Sequence, residues 1–282
     1  MKLQKQNWRS WAIWGGVLIV FIALVTSLIF QNSLVTPISN VRVHTGPNIN
    51  YTVTDTLPKG QRIHVMAKRD NWYKIRYKNK SGWVASWLVN RTNHKLKATQ
   101  LSEATIVLDP GHGGHDSGAL SQSNLQEKTY TLQQAQQVKK ALQQYGVHVL
   151  MTRDDDDSVS LGDRAELATD KHADAFISFH YDSSPVANQA TGFTTYFYHS
   201  DTSKALAESI NSHLTGLPLT NRGVDFGNFL VIRDNLRPAV LLEMGYINTT
   251  KDFKQIRSTT YQKQVAQKIV TGLKAYFKSS AK

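Results

Sequence analysis

The segment of residues 106–119, IVLDPGHGGHDSGA, places the strongest constraint on how this chain can fold. Its first three residues are apolar and the sequence DPG ends the run, a pattern typical of a buried strand followed by a tight loop. His112 stands in that loop between glycines, which let the backbone approach a ligand because they carry no Cβ. Ligands of α/β folds bind at the carboxyl ends of strands. The segment therefore predicts an α/β domain with a site here, although a lone histidine in a turn is more often a solvated residue.

Three further residues with metal- or proton-handling side chains stand at the edges of predicted elements. Glu127 opens a helical pattern, His180 ends the apolar run AFISFH, and Glu243 ends the apolar run in PAVLLEMG. If these strands share one sheet, all four side chains can meet at one rim. Two histidines and one carboxylate leave the fourth position of a tetrahedral zinc ion open for water, as catalytic sites require. The spacing alone leaves this a hypothesis.

The composition limits the residue types that can bind a metal and indicates a partner for the first part of the chain. The chain has 282 residues, a length that suits two modest domains, and no cysteine, so any metal must take histidine and carboxylate ligands. Residues 1–94 hold 13 Lys/Arg and only two acidic residues, whereas residues 95–282 hold 20 Lys/Arg and 19 Asp/Glu. This asymmetry indicates that the first part of the chain meets a polyanion.

Residues 12–30 contain no charge, and at 1.5 Å per residue they span about 28 Å, close to the bilayer core of about 30 Å. Lys2, Lys5 and Arg9 precede them, which predicts residues 1–11 in the cytoplasm and the remainder outside. The alternative is a cleaved signal peptide and secretion to the cell wall. The length of the apolar run and the lack of an Ala-x-Ala site favour an uncleaved transmembrane anchor.

Residues 41–90 predict a small barrel of about five strands, between linkers at residues 31–40 and 91–103. The segment consists of short alternating runs separated by turn residues. Its motifs NVRVHTGPN, LPKGQRIHV, NWYKIRY and SGWVASWLV resemble the bacterial SH3-like domain, which implies an all-β barrel that binds cell-wall material. A basic face accompanies the barrel, and outside a membrane it predicts an anionic wall polymer rather than nucleic acid as partner; it comprises Arg62, Lys68, Arg69, Lys74, Arg76, Lys78 and Lys80.

Residues 104–282 alternate between strands and helices, which predicts a mostly parallel or mixed sheet with helices on both faces. Ser160 and Asp163 predict a capped helix start. The run FLVI, residues 229–232, reads as a strand, and the acidic run of residues 154–157 reads as a solvated loop rather than a calcium site.

Four other polar features have predicted roles. Asp109 braces the loop or orients a ligating imidazole. Arg153 and Arg164 are structural, and residues 221–227 with Asn248 line a substrate groove.

Motifs spread over almost all of residues 104–282 resemble the zinc-dependent N-acetylmuramoyl-L-alanine amidases of the bacterial autolysin type. They are IVLDPGHGGHDSGA, LQEKTYTL, VLMTRDDD, SLGDRAELA, ADAFISFHYD, NRGV and PAVLLEMGYINTTKD, in the family's order. The resemblance implies zinc held by His112, Glu127 and His180, with Glu243 as the catalytic acid/base. It implies a peptidoglycan hydrolase that uses zinc-activated water to cleave the amide between the lactyl group of N-acetylmuramic acid and L-alanine.

Two alternatives to this reaction stay open. One is a zinc peptidase that acts on the stem peptide. The other is a catalytically silent wall-binding protein, which the competent residues at all four positions argue against.

Overall fold

The computed structural model describes residues 11–21, 32–92 and 96–279. The chain divides into two compact units, Met1–Pro47 with Val53–His94, and Asn48–Thr52 with Lys95–Lys282. Residues 11–21 are helical, and within the described ranges no helix is long and apolar enough to cross a membrane. The remainder of the predicted span 12–30 lies outside the described residues, as do residues 1–10.

The first unit is a six-stranded antiparallel sheet with the order β1-β4-β5-β6-β2-β3. Apolar side chains alternate along the strands and point inward, so that Ile63, Val65, Ile75 and Val84 are buried. The elements are β1 Ser33–Val35, β2 Val41–His44, β3 Val53–Leu57, β4 Arg62–Arg69, β5 Trp72–Tyr77, β6 Lys80–Ala85 and the short helix α1 Ser86–Val89.

The predicted linker at residues 31–40 contains a short strand that was not predicted. Ser33–Val35 form β1, which pairs with β4, and Ile38 is fully buried. The strand is short and its segment polar, so the sequence carried too little apolar periodicity to reveal it. Residues 41–90 contain five strands, β2 to β6, as predicted, and β1 is the sixth strand of the sheet.

The second unit is an α/β domain with a mixed six-stranded sheet of order β11-β10-β12-β9-β7-β8. All neighbouring strands are parallel except β10 and β12. This confirms the predicted sheet flanked by helices. The strands are β7 Thr105–Pro110, β8 His148–Met151, β9 Ala175–Asp182, β10 Phe193–Phe197, β11 Asn221–Phe226 and β12 Ala239–Tyr246; the helices are α2 Glu127–Gln143, α3 Leu161–Asp170, α4 Lys204–His213, α5 Leu230–Arg233, α6 Thr250–Ile256 and α7 Thr259–Ser279.

Helices cover both faces of this sheet. On one face α2, α4 and α7 enclose the larger core, to which α7 contributes a buried residue every fourth position from Tyr261 to Phe277. On the other face α3 and α5 pack over Val107, Phe176 and Leu241. The α3 start is as predicted, because the Ser160 side chain accepts a hydrogen bond from the Asp163 N–H at 3.2 Å.

Four parts of the second unit differ from the predicted secondary structure. FLVI is not a strand, since α5 covers Leu230–Arg233 and buries Val231 and Ile232. A short apolar run fits a buried strand and a buried helix equally well, so periodicity could not distinguish them. Two elements were not predicted: Asn221–Phe226 form the edge strand β11, and Thr250–Ile256 form the helix α6. Of the predicted linker 91–103, Leu101–Glu103 are a buried 3-10 turn, and residues 93–95 lie outside the described residues.

We expect Gly272→Ala to lower the free energy of unfolding by about 1–3 kcal/mol, the usual cost of overpacking a core. A Cβ at Gly272 in α7 would lie 2.7 Å from Ile210 Cα and 2.9 Å from Ser209 O in α4, so the two helices would have to separate. Chemical denaturation measures the change. Gly162→Ala is the control, because no atom lies closer than 4.0 Å to its added methyl group. Equal stability of both variants would contradict this account of the packing.

Candidate active site

The sheet topology brings the ends of three strands to one rim. Strands β7, β9 and β12 are parallel, so their carboxyl ends meet at the same edge of the sheet. His112 lies in the loop after β7, and His180 in β9 is directly paired with Glu243 in β12. Glu127, the first residue of α2, reaches the same place. All four sequence-predicted residues therefore lie together.

Three of these residues form a compact set of donor atoms. Glu127 Oε2 lies 3.1 Å from His112 Nε2, and Glu127 Oε1 lies 3.1 Å from His180 Nδ1. The imidazole centroids are 4.7 Å apart. One donor atom from each of the three residues lies within 4.8 Å of the others, and two imidazoles with one carboxylate are a set suited to zinc.

Glu127 is buried and held by the backbone as well as by the histidines. Its carboxylate accepts hydrogen bonds from the N–H groups of Ala119 and Tyr181, both at 2.9 Å. Burial alone would raise the pKa of Glu127, but the hydrogen bonds with His112 and His180 outweigh it and bring the pKa below its usual range. The side chain is therefore an anion with a fixed orientation.

Asp116 orients His112, a role that the sequence analysis did not assign to it. Its Oδ2 lies 2.8 Å from His112 Nδ1, and its Oδ1 accepts the Gly118 N–H at 3.0 Å. With Nδ1 occupied, Nε2 is the nitrogen that faces Glu127. Burial lowers the pKa of His112, yet Glu127 and Asp116 together raise it above its ordinary value. The sequence pattern that could have revealed this role is a carboxylate four residues after the histidine within one glycine-rich loop.

Asp109 braces the loop and does not contact the imidazole of His112. The carboxylate is fully buried and accepts hydrogen bonds from Arg164 Nη1 at 2.7 Å, Thr152 Oγ1 at 2.6 Å and Ser178 Oγ at 2.7 Å. Arg164 also donates to the carbonyls of Pro110 and His112, both at 2.8 Å. Of the two predicted roles of Asp109, the structure thus places it in the bracing one.

Arg153 holds the same loop from a second direction. It is buried and donates to Pro110 O at 3.1 Å and Gly111 O at 2.9 Å. Gly111 is required here by close approach, because a Cβ would lie 2.3 Å from the His180 ring. The two arginines are structural in the sense predicted, and they support the residues that carry the site.

Glu243 stands apart from this network. Its Oε2 is buried and has no hydrogen-bond partner within the part of the chain that the structure describes. Burial, together with the negative charges of Glu127 and Asp182, raises the pKa of Glu243 well above its usual range. A buried acid with a perturbed pKa beside a cluster of donor atoms is typical of a functional site.

The remaining predicted residues make local contacts of their own. In the acidic run, Asp156 is exposed, but it forms an ion pair with Lys128 Nζ at 2.7 Å and accepts a hydrogen bond from the Gly114 N–H at 3.0 Å. It therefore braces the glycine loop. Arg222, in β11, lies over the Tyr246 ring at 5.6 Å. Asn248 exchanges hydrogen bonds with the backbone of Ser184.

Comparison with known proteins identifies the family. The sequence profile described as N-acetylmuramoyl-L-alanine amidase matches residues 106–275, more than half of the chain and all four residues of the site. The chain belongs to this amidase family. A second profile, bacterial SH3 domain, matches residues 39–90 of the amidase.

Named relatives and solved structures agree with this assignment. The amidase is 38% identical over 289 residues to "Probable cell wall amidase LytH" of Staphylococcus saprophyticus, covering 98% of this chain and 97% of that protein. The namesake from Staphylococcus epidermidis is 40% identical over 253 residues, with 87% and 84% covered. The catalytic domain of CwlV, an N-acetylmuramoyl-L-alanine amidase from Bacillus (Paenibacillus) polymyxa var. colistinus, matches with a TM-score of 0.60 and 37% identity, over 62% of this chain and 98% of that one. N-acetylmuramoyl-L-alanine amidase AmiC2 of Nostoc punctiforme gives a TM-score of 0.59 at 36% identity, covering 62% and 97%. The protein is therefore a peptidoglycan amidase.

We expect Asp109→Ala to destabilise the amidase by roughly 3–5 kcal/mol, because it leaves the Arg164 guanidinium buried without its ion partner. Both side chains are almost inaccessible to solvent. Urea denaturation followed by far-UV circular dichroism measures the change, because the long helices lie in the same unit as Asp109. Asp234→Ala removes a carboxylate from the exposed pair with Arg233, and we expect no measurable effect there. A small loss in Asp109→Ala would show that the loop does not depend on this pair.

Asp116→Ala should weaken metal binding about 10- to 100-fold while leaving the protein folded, because His112 loses the contact that fixes its ring. Titration of metal-free protein with zinc, monitored by calorimetry, gives the affinity. Asp163→Ala is the matched control, since that exposed acid lies at the start of α3 and has no contact with the site. Unchanged zinc affinity in Asp116→Ala would exclude the orienting role.

Proposed function

We propose that this amidase hydrolyses the amide between the lactyl group of N-acetylmuramic acid and L-alanine in peptidoglycan, using zinc held by His112, Glu127 and His180. The convergence of these three side chains beside Glu243, whose Oε2 is buried without a hydrogen-bond partner among the described residues, carries the proposal. The family to which the chain belongs supports the same bond.

The donor set fits the metal that the family implies. Two imidazoles and one carboxylate leave a fourth coordination position free, which suits a catalytic rather than a structural zinc site. A bound zinc ion would polarise the amide carbonyl and make a water molecule more acidic. Glu127 contributes the negative charge, and Asp116 holds the His112 ring in place.

In this proposal Glu243 transfers the proton. As general base it would take a proton from the attacking water, and as general acid it would deliver that proton to the leaving amine of L-alanine. In the protein alone, burial and the charges of Glu127 and Asp182 favour its protonated form. A divalent cation nearby opposes that effect, because positive charge lowers the pKa of a carboxylic acid. A cation bound at the neighbouring site would therefore favour the ionised form of Glu243, which is the form that acts as a base.

The remainder of the chain gives the enzyme its location. We assign residues 1–11 to the cytoplasm, residues 12–30 to a membrane anchor or a signal, residues 41–90 to wall binding and residues 104–282 to catalysis. The uncharged sequence of residues 12–30 and the basic residues before it support the anchor. The surplus of basic residues in the SH3-like region supports an anionic wall polymer as its partner. The enzyme would then act outside the cytoplasm.

The decisive experiment digests purified peptidoglycan with the full chain in detergent, with zinc and with a chelator, and identifies the fragments by mass spectrometry. Release of stem peptides that begin with L-alanine, only in the presence of metal, is the expected result. Shortened stem peptides would instead show a zinc peptidase. Wall binding without any release would show a catalytically silent protein.

Glu243→Gln should keep bound zinc but lose at least about 100-fold in turnover, the usual contribution of general acid–base catalysis. His112→Ala should lose both zinc and turnover, because it removes one of three metal ligands. Elemental analysis of the purified proteins gives the zinc content, and the digestion assay gives the rate. Activity of Glu243→Gln near that of the wild type would show that another group transfers the proton.

A further inference from the structure

The outer face of the SH3-like sheet carries a hollow of about 460 Å³, which we name the β4–β5 hollow. Its polar lining includes Arg62, His64, Arg76, Lys78 and Asn79. His64 in β4 is directly paired with Arg76 in β5, and Arg62 lies two residues before His64 on the same face of the strand. The strand register therefore places these side chains around one depression.

The cations of this hollow lack the ion partners that neighbouring cations have. Lys80 lies 3.0 Å from Asp55, and Arg69 lies 3.2 Å from Asp70. The N–H of Thr56, with Lys80 and Tyr77, lowers the pKa of Asp55 to about 2, so this carboxylate stays ionised beside Lys80. By contrast Arg62, Arg76 and Lys78 are exposed and form no ion pair with any described residue.

The turn beside the hollow fixes one of these cations in an uncommon conformation. Lys78 and Asn79 join β5 to β6, with Tyr77 paired to Lys80, and their φ angles are 42° and 62°. Two central residues with positive φ are the signature of a type I′ hairpin turn, whose twist matches that of the strands. Glycine is the common residue there, so the sequence accepts a lysine at a position that costs conformational energy.

The chemistry of the lining defines the ligand. Two guanidinium groups and an ammonium group supply only donors and positive charge, and the hollow contains no carboxylate. A polysaccharide that offers hydroxyl groups would leave these charges uncompensated. A chain of closely spaced phosphodiesters offers acceptor oxygens and one negative charge at every repeat, and guanidinium groups bind phosphate through paired hydrogen bonds.

We propose that the β4–β5 hollow binds a phosphodiester-linked polymer of the cell wall through Arg62, Arg76 and Lys78. This inference rests on the wall location given under the proposed function, but not on the hydrolytic reaction. It places the binding site for the anionic partner on one defined surface of the SH3-like domain, instead of attributing binding to the overall charge of the domain. Binding there would concentrate the enzyme on walls that carry such a polymer.

The test compares two double variants of the full chain in detergent, each of which removes two positive charges. Arg62→Gln/Arg76→Gln alters the hollow. Lys68→Gln/Arg69→Gln is the matched control, because both residues lie further along β4, where Lys68 contacts the Tyr73 ring and Arg69 pairs with Asp70. All proteins carry Glu243→Gln so that the walls are not digested. Co-sedimentation is measured with bacterial walls that contain phosphodiester polymers and with the same walls after hydrofluoric acid has cleaved the phosphodiesters.

We expect the hollow variant to bind untreated walls about tenfold or more weakly than the control, because each lost hydrogen bond to a charged group is worth roughly a factor of ten. Treated walls should bind all proteins weakly, and added salt should weaken binding to untreated walls. Equal binding of the two double variants would overturn the assignment to the hollow. Undiminished binding to treated walls would overturn the phosphodiester ligand.

Two further measurements separate this inference from the proposed reaction. Circular dichroism shows whether both double variants are folded like the parent protein. Each pair of substitutions is then placed in a chain with Glu243 intact, and hydrolysis of phosphodiester-free peptidoglycan is measured. We expect unchanged rates. Loss of polymer binding in the hollow variant would then not affect the proposed amidase reaction. Conversely, an enzyme that hydrolyses nothing but still binds untreated walls would contradict the reaction and not the hollow.

Discussion

The active site depends on two buried arginines that hold the loop after β7. Arg164 and Arg153 donate to three successive carbonyls, those of Pro110, Gly111 and His112. The loop needs this support because His112 adopts a φ of 61°, a conformation that costs energy in a residue other than glycine. Arginine suits the task, since its planar group carries five donors in a fixed arrangement. The imidazole of His112 is therefore positioned by the protein before any ligand arrives.

The spacing of the predicted elements suggested which residues could meet, and the resemblance to the amidase family implied the same four. His180 and Glu243 each end an apolar run of the kind found in the buried strands of a covered sheet, and parallel strands of this kind end at a common rim. Glu127 followed from the start of a helical pattern. Strong periodicity also fixed the long helix α7 and the alternating strands of the SH3-like sheet. These predictions used patterns repeated over many residues.

Features that depend on a single contact were not predictable in the same way. Asp109 and Asp116 both lie near His112 in the sequence, and only the folded backbone shows that Asp116 reaches the imidazole while Asp109 is enclosed by Arg164. The short elements could not be predicted from the sequence for a related reason. The strand β1 and the helix α5 have too few residues to show a period, so their structure is decided by the surface on which they pack.

The distribution of charge explains why the site is suited to a cation. Glu127 is held as an anion, and Oε2 of the nearby Glu243 is buried with no hydrogen-bond partner among the described residues, so two acidic groups share a region with little access to water. The buried arginines do not neutralise them, because their donors point to the loop carbonyls and to Asp109. A fold selected for stability alone would pair or remove such a group. The buried, unpaired Oε2 of Glu243 beside the anionic Glu127 is therefore a feature that packing alone does not require, and it lies where the donor atoms for a metal ion converge.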